Sequence, residues 1–230
     1  KQALMPAESY KALFKYGYCR SPDQDAGAQV HHPVIVVGAG PIGLAAAIDL
    51  AQRGTPVVVL DDSDRIAEGS RAICFSKRAL EVADRLGVGE RMVAKGVVWK
   101  VGKIFLDTEL VTQFDLLPEP GHKRPAFINL QQYYVEAWLV ERARELANID
   151  LRWRNRVGSV TPRADGAEVT VETPDGPYRL TCDWLVACDG ARSSVRSALG
   201  LEFVGQAFDD RFLIVDVRMQ AGFPPERWFW

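Results

Sequence analysis

The chain of 230 residues is long enough for one large domain or two small ones, and for a core that needs no disulfides or metals. With 47% hydrophobic and 25% charged residues it reads as a globular protein, and a net charge of −2 spread along the chain removes the electrostatic case for nucleic acid or an anionic membrane surface. No apolar run reaches the ~20 residues of a membrane span. The amino-terminal stretch lacks the apolar centre of a signal peptide. Cys19, Cys74, Cys182 and Cys188 form no CxxC pair, so neither a zinc site nor a disulfide framework is expected, and scattered thiols place the chain in the cytoplasm.

Residues 1–31 are polar and irregular, with a short helix predicted over Glu8 to Tyr18 and a linker over Ser21 to Gln29. Val34-Ile35-Val36-Val37 is a wholly apolar, β-branched run, as expected of a strand buried on both faces of a parallel sheet. Pro41 to Arg53 reads as a helix stopped by Gly54, and Val57-Val58-Val59-Leu60 as a second buried strand. Strand, helix and strand in so short a span imply a right-handed crossover. Ser76 to Leu86 reads as a helix capped by Ser76 and ended by Gly87. Val97 to Leu106 and Leu110 to Leu116 read as two strands joined near Asp107-Thr108, and Pro118 to Pro125 as a loop.

Gln131 to Leu146 reads as a helix with Val135, Leu139, Val140 and Ala143 on one side. LRWRNRVGSVTP, EVTVETP and PYRLTC read as β runs, with Asp165-Gly166 and Asp175-Gly176 as hairpin signals between them. Trp184-Leu185-Val186-Ala187 reads as another buried strand, Ser194 to Leu199 as a helix, and Phe212 to Arg218 as an alternating strand. The expected fold class is α/β: a Rossmann-like core with a parallel sheet, a β-meander and part of an antiparallel sheet. The chain starts at Lys1 and stops at Trp228-Phe229-Trp230 after Pro224-Pro225. Three large rings at a frayed end would form an exposed apolar patch, so the sequence reads as a piece of a longer polypeptide.

The chemistry concentrates after the first strand, where Gly38-Ala39-Gly40-Pro41-Ile42-Gly43 spells GxGxxG. Gly38 allows the tight turn, Gly40 lets the backbone approach a pyrophosphate, and Gly43 lets the helix pack close to the strand. Unpaired N–H groups and the positive end of the helix dipole face the phosphates. Pro41 removes only a donor that has no partner within the helix. Asp61, after the second strand, is placed to accept hydrogen bonds from both ribose hydroxyls, and with Asp62 it would repel a 2′-phosphate. This segment alone predicts the ADP half of a dinucleotide and leaves FAD and NAD open.

Four stretches go further: VIVVGAGPIGLAAAIDLAQRG with VVVLDDSD, SRAICFSKRALEVADRLG, NLQQYYVEAWLVERA, and WLVACDGARSSVR. In order and spacing they resemble the flavin-dependent aromatic hydroxylases of the para-hydroxybenzoate hydroxylase type (group A flavoprotein monooxygenases), especially those acting on hydroxyphenylpropionate-like substrates. The resemblance covers residues 34–218 and implies FAD as cofactor. It implies a flavin-contacting arginine at Arg71, whose charge alone would serve flavin phosphates or a substrate anion. It implies a flavin-contacting glutamine at Gln132, with Gln131 the competing choice. At Asp189-Gly190 it implies a contact on the flavin side, where an acid could also cap the following helix. Arg192 and Arg196 either serve NADPH or form salt bridges.

By the same resemblance the activity is an NAD(P)H-consuming monooxygenation by way of a flavin C4a-hydroperoxide. The partners are O₂, NAD(P)H and a small aromatic substrate, and a homodimer is compatible with it. Residues 1–31 are then an N-terminal extension, 32–96 and 126–204 an FAD-binding domain, and 97–125 and 205–230 part of a substrate-binding domain. No catalytic acid or base is identifiable. The family's further glycine-aspartate turn has no match between Arg196 and Trp230, so activity of this piece alone is not implied. Two other readings stay open: an FAD oxidoreductase of the same fold with a non-aromatic substrate (an epoxidase or reductase), and a non-catalytic dinucleotide-binding module.

Overall fold

The computed structural model describes residues 14–66, 71, 73–206, 208–213, 215, 217 and 220–230. Its centre is a six-stranded sheet. β1 (Val30–Val37) lies between β2 (Val57–Asp61) and β11 (Tyr178–Ala187), parallel to both, and β8 (Ile149–Trp153) extends the parallel set beyond β2. β9 (Arg156–Arg163) and β10 (Gly166–Glu172) complete it as an antiparallel meander with β11.

The apolar runs explain the centre. Successive side chains of β1 and β2 point to opposite faces, and both faces are covered. Val34, Val36, Val57 and Val59 pack with Leu44, Ala47 and Ile48 of α1 (Pro41–Gln52), and with residues of α2 (Lys77–Leu86), α3 (Gly89–Lys95) and α4 (Gln132–Glu145). Ile35, Val37, Val58 and Leu60 pack on the other side with Val169, Val171 and Leu180 of the meander. Each such side chain, fully buried, contributes roughly 1.5–3 kcal/mol. Ser76 caps α2, its hydroxyl accepting the Ala79 N–H, and Gly87 ends it in the left-handed region at φ +88°.

A second, three-stranded sheet is set apart from this core. β5 (Val101–Leu106) pairs antiparallel with β6 (Glu109–Asp115), and β12 (Arg227–Phe229) adds parallel to β5. A third small sheet joins β3 (Cys74–Ser76), β7 (Phe127–Asn129) and β4 (Val97–Trp99). The short helix α5 (Ser194–Ala198) follows β11. Among the described residues no helix is long and apolar enough to cross a membrane.

Several expectations need correction. β1 begins at Val30, not Val34; its first residues outrun β2 and pair only with β11, which tolerates Pro33 without a donor. The run LRWRNRVGSVTP is two strands, broken where Arg154 takes φ +58° and Asn155 ties its side-chain amide to the Trp153 carbonyl. PYRLTC and WLVA are one continuous strand through exposed Asp183, and Trp184 is 72% exposed rather than part of the core. Val97 to Leu106 divides at Lys100 between two sheets. The terminal rings are ordered, Trp228 and Phe229 in β12 and Trp230 stacked on Phe105 with centroids 5.5 Å apart, yet Trp230 is 77% exposed, as an apolar patch there requires. Phe212, Leu213, Val215 and Val217 are exposed and in no strand, while the rest of 212–218 lies outside the described residues. Most of the Glu8 to Tyr18 helix also lies outside them, and Phe14 to Tyr18 is not helical.

Candidate cofactor site

Parallel strands with a common direction end together, and a cleft opens where β1, β2 and β11 stop. Gly38 turns the chain out of β1 at φ +100° and donates its N–H to the Leu60 carbonyl at 2.7 Å. On the other side the Cys188 N–H reaches the Val37 carbonyl at 2.8 Å, and a Cβ on Gly38 would stand 2.5 Å from the Cys188 carbonyl oxygen. A Cβ on Gly43 would collide with the Gly38 carbonyl oxygen. Packing therefore requires both glycines, and Gly38 lines the cleft as well. Gly40 differs: beyond its chain neighbours a Cβ there would meet nothing within 4 Å among the described residues, although the residue lines the cleft. The space beside it is open cleft.

Gly40 is also the N-cap of α1, with no side-chain cap, no acid in the first turn and Pro41 at its head. The first N–H groups of a helix have no partner inside it, so this end offers donors and positive dipole to an anion. The cleft has a volume of about 910 Å³, within the range of roughly 300–1,000 Å³ usual for ligand sites. Gly38, Gly40, Pro41, Ile42, Asp61, Asp62, Arg71, Gln132, Asp189 and Gly190 all line it; of the expected set only Gly43 does not.

Asp61 does more than end β2. One carboxylate oxygen accepts the Ala39 N–H at 2.6 Å and the other the Ser63 N–H at 2.8 Å. Burial pushes its carboxyl above the ordinary carboxylate range; the two N–H donors oppose the shift, and the charges of Asp62 and Glu136 add to it. Its oxygens, expected to be given over to a ribose, are already engaged in holding the glycine turn, though each retains a further lone pair.

Asp189 is a cap. Its oxygens accept Ser193 Oγ–H at 2.7 Å, Ser194 Oγ–H at 3.2 Å and the Val195 N–H at 3.1 Å. Burial works to raise its pKa, but these donors prevail and hold the carboxyl below its ordinary range. Gln132, the first residue of α4, donates to Glu136 Oε1 at 2.6 Å, whereas Gln131 is the exposed N-cap of that helix and does not line the cleft. Arg192 lines the cleft; Arg196 instead donates to the Ala191 carbonyl at 2.9 Å and lies over the Phe203 ring. Tyr133 and Tyr134 pack on each other, on Phe14 and on Trp138.

Ser63, Arg65, Asn155, Arg156 and Val157 also line the cleft and were not anticipated. The last three arrive because β8 pairs with β2, which sets the β8–β9 turn beside Asp61: the Asn155 N–H donates to the Asp61 carbonyl at 2.8 Å and the Arg154 N–H to that of Ser63 at 3.0 Å. The Arg154-Asn155 pair between two β-rich runs was the available turn signal.

A Rossmann-type turn, an uncapped helix start and an acid after the second strand define a dinucleotide-binding protein. The chain belongs to the FAD binding domain family, whose model matches residues 31–230. It is 34% identical over 192 residues to the para-nitrophenol 4-monooxygenase of Pseudomonas sp. (strain WBC-3), covering 80% of this chain and 46% of that protein. It is 26% identical over 188 residues to the 3-(3-hydroxy-phenyl)propionate/3-hydroxycinnamic acid hydroxylase of Mycolicibacterium smegmatis (strain ATCC 700084 / mc(2)155), covering 80% and 33%. The crystal structure of p-nitrophenol 4-monooxygenase from Pseudomonas putida DLL-E4 superposes with a TM-score of 0.73 at 29% identity, covering 79% of this chain and 46% of that one. The chain thus spans less than half the length of these relatives.

Proposed function

We propose that this protein is an FAD-dependent monooxygenase that uses NAD(P)H and O₂ to hydroxylate a phenolic or other aromatic substrate. One oxygen atom of O₂ enters the ring C–H bond and the other leaves as water, with NAD(P)H supplying the electron pair. The observation that carries the reading is the cleft at the Gly38–Gly43 turn, in a chain whose relatives include monooxygenases of aromatic compounds. FAD, when bound, supplies the electron transfer and oxygen activation.

The chain's own residues bind and orient. The α1 N-terminus with Gly38 and Gly40 receives the pyrophosphate, with Pro41 and Ile42 forming the edge of that cradle and Gly43 supporting it. Asp61 and Asp62 face the ribose. Arg71, Gln132, Asp189 and Gly190 serve the flavin half. The cleft geometry favours Gln132 over Gln131 and Arg192 over Arg196 for cofactor contact. Residues 32–96 and 126–204 form the FAD-binding domain, and 97–125 with 205–230 contribute to a substrate-binding domain, with 1–31 as an extension. The separate β5-β6-β12 sheet, drawn from both of those substrate-side segments, supports that division. The scattered thiols favour the cytoplasm, and a homodimer is the assembly to test.

Reductant-dependent hydroxylation across a panel of phenols by the full-length protein is the test. We expect NAD(P)H oxidation stimulated by one phenol class and a product heavier by one oxygen atom. NAD(P)H oxidation with no oxygen inserted into any arene would contradict the hydroxylase assignment. A colourless protein that takes up no added FAD would contradict the flavoprotein assignment.

A further inference from the structure

We propose that Asp23 is a positioning residue for the cofactor cleft, holding the cleft floor and its glycine turn through Arg152, Tyr178 and Asn155. The proposal rests on the FAD reading above and deepens it, because residues 14–30 precede the region matched by the family model.

The segment before β1 is tied down along its length. The Tyr16 N–H donates to the Asp64 carbonyl at 2.5 Å and its ring stacks on Trp153 at 4.5 Å. Tyr18 reaches Thr173 and Asp175 between β10 and β11. Pro22–Gln24 then forms a 3₁₀ turn with reciprocal capping by Ser21 and Gln24, which turns Asp23 inward so that its side chain is only 13% exposed.

From Asp23 the polar contacts run without a gap. Its Oδ2 accepts Arg152 Nη2–H at 2.7 Å and lies 2.7 Å from His32 Nε2. The Arg152 side chain is 4% exposed, and its Nη1–H donates to the Tyr178 hydroxyl at 3.0 Å. That hydroxyl donates to Asn155 Oδ1 at 2.8 Å. Asn155 is 1% exposed, lines the cleft, and donates its backbone N–H to the Asp61 carbonyl at 2.8 Å. The Asp61 carboxylate holds the Ala39 N–H of the glycine turn at 2.6 Å.

A buried guanidinium needs its partners, and a buried hydrogen-bonded chain responds as a unit when one link is cut. Arg152 shares its charge between Asp23 and the more exposed Asp150, so losing Asp23 frees it to turn toward Asp150 and release Tyr178. Asn155 then keeps only its tie to the Trp153 carbonyl and loses one of the two contacts that set its side chain, and the cleft floor loosens beneath the ADP half of the cofactor. The competing explanation is that the network only fastens the N-terminal segment to the sheet. Contiguity does not separate the two, but a double-mutant cycle read on cofactor affinity does.

The experiment uses the full-length protein, stripped of flavin and titrated with FAD by fluorescence, with apo-protein thermal unfolding run in parallel. The variants are Asp23→Asn, Tyr178→Phe, both together, and Arg20→Ala as a control. Arg20 lies on the same segment but pairs with exposed Asp25 and Asp175. Each single network variant is expected to raise the FAD Kd about tenfold, the worth of one hydrogen bond in a buried network. The double variant should be no worse than the weaker-binding single, and Arg20→Ala should bind as wild type does. An unchanged FAD Kd with a lowered apo Tm would overturn the proposal, as would effects that simply multiply or an Arg20→Ala loss of equal size. Tyr178→Phe keeps the ring, so it decides alone if Asp23→Asn does not fold. A wild type that takes up no FAD would overturn the FAD reading and the proposal with it; normal uptake by wild type and all variants would overturn the proposal only.

Discussion

Two strand-to-helix turns stand side by side at the same end of the sheet, and they are built in opposite ways. The Gly38–Gly43 turn after β1 is held by backbone on both flanks and leaves the start of α1 uncapped. The Asp189–Ser194 turn after β11 satisfies itself: Asp189 and Ser193 take the N–H groups of Val195 and Arg196. The first helix start has no side-chain cap, whereas the second is capped by its own acid and serine. A glycine beside the cleft is therefore insufficient to mark a phosphate site; the state of the adjoining helix cap decides. The DG turn instead offers Gly190 and Arg192 to the cleft on a frame stiffened by its own acid.

Substitutions separate the two. The largest effect is expected for Gly43→Val, whose side chain would drive into the Gly38 carbonyl. A backbone collision leaves no flexible neighbour to yield, so urea denaturation should show a loss of ~3 kcal/mol or more. Asp189→Ala removes acceptors from three donors in the second turn, and a loss of about 1–2 kcal/mol is expected in the same measurement. FAD affinity should fall less than in any glycine-turn variant that blocks the cleft. A larger fall would show that the DG acid matters more to cofactor binding than the glycine turn does.

The two acids should also titrate in opposite senses. Donors hold Asp189 below its unfolded pKa despite burial, so its stabilisation is present above that unfolded value and is lost as pH falls through the folded one. Burial raises Asp61 above its unfolded pKa, so its contribution is fully present below the unfolded value and is lost as pH rises through the folded one. Stability-versus-pH curves of Asp189→Asn and Asp61→Asn, each subtracted from wild type, should slope in opposite directions over the acidic range. Parallel slopes would break the comparison. Ser194→Ala, which removes one exposed hydroxyl donor to Asp189, should change stability by no more than about 0.5 kcal/mol.

Much of the first turn was legible in the residues. Val34 to Val37 and Val57 to Leu60 lack any polar residue, and only a doubly covered strand accommodates such runs. The GxGxxG spacing then separated Gly43, which packs against the Gly38 carbonyl, from Gly40, which stands open at the cleft. The helix from Ser76 to Gly87 and both Asp-Gly hairpins were legible for similarly local reasons.

What escaped was non-local. Asn155 and Asp61 adjoin only because β8 pairs with β2, and no local pattern announces a pairing between segments so far apart. Asp183 interrupts an apolar run yet continues β11, because its side chain is on an exposed position of that strand. The alternation of Phe212 to Arg218 suggested a strand, but Phe212 is 85% and Leu213 91% exposed, and no strand pairs with them among the described residues. Alternation sorts side chains to two faces only where a neighbouring strand supplies the sheet.

The central claim is that the uncapped turn at Gly38–Gly43 receives the pyrophosphate of FAD. Gly40→Val tests it most directly, since φ at Gly40 is −72° and a Cβ there meets nothing within 4 Å among the described residues beyond its chain neighbours. Apo-protein stability should stay within about 0.5 kcal/mol of wild type, while FAD affinity, measured by fluorescence titration, should fall by about a hundredfold or more as the side chain enters the phosphate cradle. Wild-type FAD affinity in a stably folded Gly40→Val protein would contradict the account.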